Sequence, residues 1–76
     1  MSATGATVLV LNSGSSSIKY ELIDPQDGTH VAAGIVERIG EDVAGIEHAY
    51  AGTTTERHEP VATHREALRT VLALFD

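Results

Sequence analysis

The sequence predicts an α/β fold, strands first and a helix last, on three observations. An apolar run at residues 8–11 gives way to strict two-residue alternation over residues 17–22. Clusters of turn-forming residues recur at short intervals after it. Beyond Pro60 the period changes to that of an amphipathic helix.

Val8, Leu9, Val10 and Leu11 are an unbroken apolar run bounded by Thr7 and Asn12, the pattern of a strand covered on both faces. Burial on both sides is the expectation. In the next segment Ile18, Tyr20 and Leu22 fall on one side and Ser17, Lys19 and Glu21 on the other, which predicts a second strand. Ser13-Gly14-Ser15-Ser16 lies between, so the two should form an antiparallel hairpin with its loop at residues 12–16. Asp24-Pro25-Gln26-Asp27-Gly28 is a turn, because proline presets one dihedral and glycine accepts a positive φ.

A third strand is expected over residues 29–39, with Val31, Ile35 and Ile39 as anchors and Gly34 marking a bulge or a close backbone approach. Residues 40–45 read as an acidic turn, and residues 46–51 and 53–59 as two short strands joined at Gly52. Thr63-His64-Arg65-Glu66 fits a capping box, in which the threonine and glutamate side chains satisfy each other's amides. Leu68, Val71, Leu72 and Phe75 then make one helical stripe facing a core. No glycine or asparagine stops this helix, and Asp76 would sit at the negative end of its dipole. Residues 1–76 are therefore expected to be part of one domain, cut inside an element.

Composition excludes several functions. The 76 residues carry a formal net charge of -6, from 5 Lys plus Arg against 11 Asp plus Glu. That balance lacks the basic stripe a nucleic-acid surface needs and the polybasic patch of a membrane-surface protein. With no cysteine there is no disulfide framework, and a reducing, cytoplasmic setting is permitted. The run at residues 8–11 is far too short for a signal segment or a membrane span. A soluble, untargeted chain is expected.

One stretch calls for a chemical account: Asn12-Ser13-Gly14-Ser15-Ser16-Ser17-Ile18-Lys19. A tight loop of glycine and serine can turn several amides and hydroxyls toward one anion, and a lysine adds a point charge suited to phosphate. Asn12 offers a neutral oxygen for a hard cation such as Mg²⁺ or for its water shell. The same residues also serve as an ordinary polar turn with a solvated lysine. They lack the glycine spacings of the familiar nucleotide loops and lead into a strand, so a helix dipole is not the device in use.

His30, His48, His58 and His64 show no metal-ligand spacing and read as ordinary surface or strand positions. Glu37, Glu41, Asp42 and Glu47 read as a solvated acidic stretch without the ligand spacing of a calcium loop, and Thr53-Thr54-Thr55 as strand or turn.

Residues 8–20 together with Leu22-Ile23-Asp24 resemble the N-terminal signature of acetate kinases. Val36-Glu37-Arg38-Ile39-Gly40 and His64-Arg65-Glu66-Ala67-Leu68 resemble later segments of that family in the same order. The resemblance implies a mixed sheet flanked by helices, the start of the first of two actin-like, ribonuclease H-like domains in the acetate and sugar kinase, heat-shock and actin superfamily. It implies reversible transfer of phosphate from ATP to acetate with Mg²⁺, in a cytoplasmic homodimer. Carried over residue by residue, Lys19, Ser15 and Ser17 contact the ATP phosphates, and Asn12 lies at the Mg²⁺ and phosphate site.

No catalytic residue is carried over. The acyl-binding arginines, the catalytic aspartate and the metal-binding glutamate of the family have no counterpart in these residues, so the chain alone is expected to be inactive. Propionate and butyrate kinases share the signature, and a small non-catalytic adaptor with a serine-rich hairpin is the reading from a different class.

Overall fold

The structure, a computed structural model, describes residues 7–75. Five strands form one antiparallel sheet in chain order: β1 (Val8–Ser13), β2 (Ile18–Asp24), β3 (Thr29–Glu37), β4 (Ala44–Tyr50) and β5 (Thr53–Glu59). A single helix, α1 (His64–Leu74), follows. The α/β class stands, and all five described strands pair antiparallel. The expected effect of Asp76 on the helix end lies outside the described residues.

Turn chemistry fixes the meander. Asp24 and Asp27 each accept a backbone amide two residues on, from Gln26 and Thr29, both at 2.9 Å. Gly28 closes the turn at φ 73°. Tyr50 faces Thr53, so Ala51 and Gly52 alone join β4 to β5, with φ of 54° and 79°. Two positive φ values in a two-residue loop have the twist that antiparallel strands need.

The helix packs on one face of the sheet. Ile18, Tyr20, Val36 and Ile46 are buried there with Ala67 and Val71 of α1, and burial of each large aliphatic side chain contributes about 1.5–3 kcal/mol. Thr63 caps the helix by accepting the Glu66 amide at 3.2 Å. The Glu66 carboxylate takes the Ala62 amide at 3.1 Å, one residue beyond the expected reciprocal partner. The buried stripe also differs from the expected one. Leu68, Leu74 and Phe75 pack against the core while Leu72 is 58% exposed.

The largest correction concerns β1. Val8, Leu9, Val10 and Leu11, expected to be buried on both faces, are 37–49% exposed. β1 is the edge of the sheet, and α1 covers the strands beyond it. A continuous apolar run records that a strand is meant to be covered, and no described element covers this one.

Gly34 settles as a close approach. It sits between Tyr20 and His48 in the register, and a Cβ there would collide with the Tyr20 phenol and the Glu47 carbonyl. The irregularity lies elsewhere, between Leu22 and Ile23. Tyr20 crosses over Gly34 to share a hydrogen bond with His48 Nδ1. His48, expected at an ordinary strand position, is 3% exposed, stacked edge-on against Phe75 at 4.7 Å, and its Nε2 has no partner among the described residues.

Burial holds the His48 pKa below its usual value and pushes Tyr20 up to about 12. Both shifts favour the neutral forms in the folded state. Below about pH 6.5 the unfolded chain takes up a proton that folded His48 resists, so stability falls as pH drops. Above pH 10 the unfolded tyrosine loses its proton first, so stability falls again as pH rises toward 12. Thermal melts of the full-length protein across pH should show the alkaline decline flattened in Tyr20→Phe; an unchanged decline would remove this assignment.

Candidate phosphate-binding hairpin

The hairpin between β1 and β2 forms, but its loop is shifted from the expected residues 12–16, because Asn12 and Ser13 stay paired in β1. Asn12 pairs with Lys19 and Ser13 with Ile18, leaving residues 14–17 as the loop. Gly14 N donates to Ser17 O at 2.8 Å and closes the loop on itself.

Alternation decides which way each side chain faces. Ile18 and Tyr20 point into the core beneath α1, so Lys19 between them points to the opposite face. Asn12 is directly across from Lys19 and shares that face, with Cβ atoms about 4.5–5.5 Å apart by the geometry of such pairs. Both are exposed at the loop end of the ladder. Among the described residues Lys19 forms no ion pair, while Glu21 is engaged by His30 at 2.8 Å. The lysine charge is thus available to a ligand.

Ser15 is exposed and Ser17 half-buried in the loop. The four residues singled out from the sequence therefore converge on one end of the hairpin: two in the loop, two across the first rungs of the ladder. The arrangement can present one positive charge, serine hydroxyls and a neutral amide oxygen to a phosphate group. A cation finds less. No cluster of three His, Cys, Asp or Glu able to hold a metal exists among the described residues, and Asn12 supplies one neutral oxygen.

Two contacts to the loop come from residues far along the chain. Ile39 N donates to Ser16 O at 2.9 Å, and His64 Nε2 lies 2.7 Å from Gly14 O. His64 was expected at an ordinary surface position, and spacing gave no signal for it, since its partner lies 50 residues earlier. Its place as the first residue of a capped helix was legible, but not what that helix end would touch.

A profile of the Acetokinase family matches residues 7–76. The chain belongs to the acetokinase family. It is 56% identical over 68 residues to the acetate kinase of Streptomyces coelicolor, a match covering 87% of this chain and 17% of that protein. The crystal structure of Porphyromonas gingivalis acetate kinase superposes with a TM-score of 0.83 at 30% identity, over 93% of this chain and 18% of that one. A propionate kinase from Francisella tularensis has the same fold here, with a TM-score of 0.84 at 21% identity over 92% of this chain and 18% of that one. The chain thus spans about a sixth of the length of these relatives. Among its described residues no helix is long and apolar enough to cross a membrane.

Proposed function

We propose that the protein containing these residues is an acetate kinase, transferring the terminal phosphoryl group of ATP reversibly to acetate, and that this chain supplies the hairpin contacting the nucleotide phosphates. The observation carrying the reading is the Asn12–Lys19 cross-strand pair at the mouth of the Gly14–Ser17 loop, in a chain of this family.

An acetate oxygen forms a bond to the γ-phosphorus as the bond from that phosphorus to the bridging oxygen of ADP breaks. Such a reaction asks the protein mainly for positioning and for positive charge near the transferred group. Lys19 supplies a charge, and the loop amides with Ser15 and Ser17 hold phosphate oxygens. Asn12 fits as one neutral ligand of Mg²⁺ or of its water shell, the other ligands coming from phosphates and from residues outside this chain. Bound there, the ion offsets charge on the phosphates. A single lysine and asparagine do not complete the site, so the fragment alone should not turn over.

The reading extends to a cytoplasmic homodimer that binds neither nucleic acid nor membranes, in keeping with the net charge of -6. Its test is acyl phosphate formation by the full-length protein with ATP and Mg²⁺, offered acetate, propionate and butyrate. Acetate should lead, with each added methylene altering kcat/KM by roughly 10-fold or more. Absence of ATP-dependent acyl phosphate with every acid would refute the kinase reading, and a lead for propionate or butyrate would reassign the substrate.

A further inference from the structure

We infer that His64 is a positioning residue for the hairpin loop: by holding the Gly14 carbonyl, it turns the following Ser15 amide toward the face that carries Asn12 and Lys19. The inference rests on the phosphate-binding reading of that loop.

The bond has one possible direction. Gly14 O can only accept, so Nε2 of His64 carries the proton and donates across 2.7 Å. Among the described residues it is the side chain from outside the hairpin that bonds the loop. Its position is inherited from the core. His64 opens α1, whose start is fixed by the Thr63 cap and whose Ala67 and Val71 are buried against Ile18 and Tyr20.

The consequence follows from peptide geometry. In a planar trans peptide the carbonyl and the next N–H point in opposite directions, and no cis peptide bond occurs among the described residues. α1 lies on the face of the sheet occupied by Ile18 and Tyr20. A Gly14 carbonyl drawn toward α1 therefore aims the Ser15 N–H at the opposite face, where Lys19 and Asn12 stand. Gly14 and the serines around it put little steric resistance in the way of a flipped peptide, so the loop needs an external restraint. Ile39 restrains its far side at Ser16 and leaves this peptide to His64. The loop's readiness for an anion is thereby tied to the packing of the helix on the sheet.

Glutamine can place its Nε2 donor near that of histidine, whereas leucine keeps the bulk and loses the donor. The experiment is calorimetric titration of MgATP into full-length His64→Leu, His64→Gln and Lys19→Ala, with thermal melts of each. The net worth of one hydrogen bond corresponds to about 10-fold in an equilibrium. His64→Leu should weaken MgATP binding about 10-fold, and His64→Gln should restore most of that loss. If His64→Leu binds as the wild type does while Lys19→Ala is weakened, the His64 inference fails and the phosphate reading survives. If Lys19→Ala keeps both normal MgATP binding and normal turnover, the phosphate reading fails and takes the inference with it. Equal losses in His64→Leu and His64→Gln, with or without a lowered melt, assign the histidine to packing and overturn the inference.

Discussion

Gly34→Ala should destabilise the protein by about 2–6 kcal/mol, although glycine to alanine in a strand is usually a mild change. The added Cβ would meet the Tyr20 ring and hydroxyl on β2 and the Glu47 carbonyl on β4. Neither can retreat cheaply. Tyr20 is 1% exposed within the core, and the Glu47 oxygen is backbone in a central strand. Overpacking of a tight interior costs about 1–3 kcal/mol. Displacing the phenol also separates it from His48 Nδ1, and a buried polar group left without its partner costs about 1–3 kcal/mol more. Against a typical stability of about 5–15 kcal/mol this is a large fraction. Denaturant unfolding of the full-length protein measures it, and a change under about 1 kcal/mol would show that the sheet yields where the geometry says it cannot.

Why some of this was legible in the sequence and some not follows from the range of the interactions. The hairpin, the Asp24 to Gly28 turn, the Gly52 connection and the Thr63 cap depend on residues within a few positions of one another, and each forms at or within two residues of where its chemistry predicts. Alternation over β2 likewise placed Lys19 opposite the core, and pairing brought Asn12 to the same face. Burial of β1 was misread because an apolar run states a need for cover without naming what provides it. The roles of His48 and His64 were missed for a related reason. Tyr20 and His48 are 28 positions apart, Gly14 and His64 are 50 apart, and only the folded register and the docked helix bring either pair together. Gly34 stood between these cases: the residue type announced a local need for space, and the identity of the neighbour required the register.

Lys19→Ala should lower turnover of the full-length protein in the proposed reaction by roughly 30-fold to 1,000-fold, with little effect on stability. The lysine is exposed on the face away from α1 and makes no ion pair among the described residues, so its removal leaves the core untouched. Surface changes of that kind usually fall within about 0.5 kcal/mol. Its value lies in charge. In the proposed transfer, negative charge redistributes over phosphate oxygens, and a contact that strengthens in the transition state acts on kcat more than on binding. One preorganised contact of this type contributes about 2–4 kcal/mol, which sets the expected range of the loss. Asn12→Ala, from across the same rung, should behave differently, because it removes a neutral oxygen and no charge. Its turnover defect should vary with Mg²⁺ concentration, whereas that of Lys19→Ala should persist at saturating Mg²⁺. Steady-state kinetics of both variants across a Mg²⁺ titration, beside thermal melts, separates the two roles. Near-normal turnover in both, with melts unchanged, would return the Asn12–Lys19 rung to an ordinary solvated end of a hairpin.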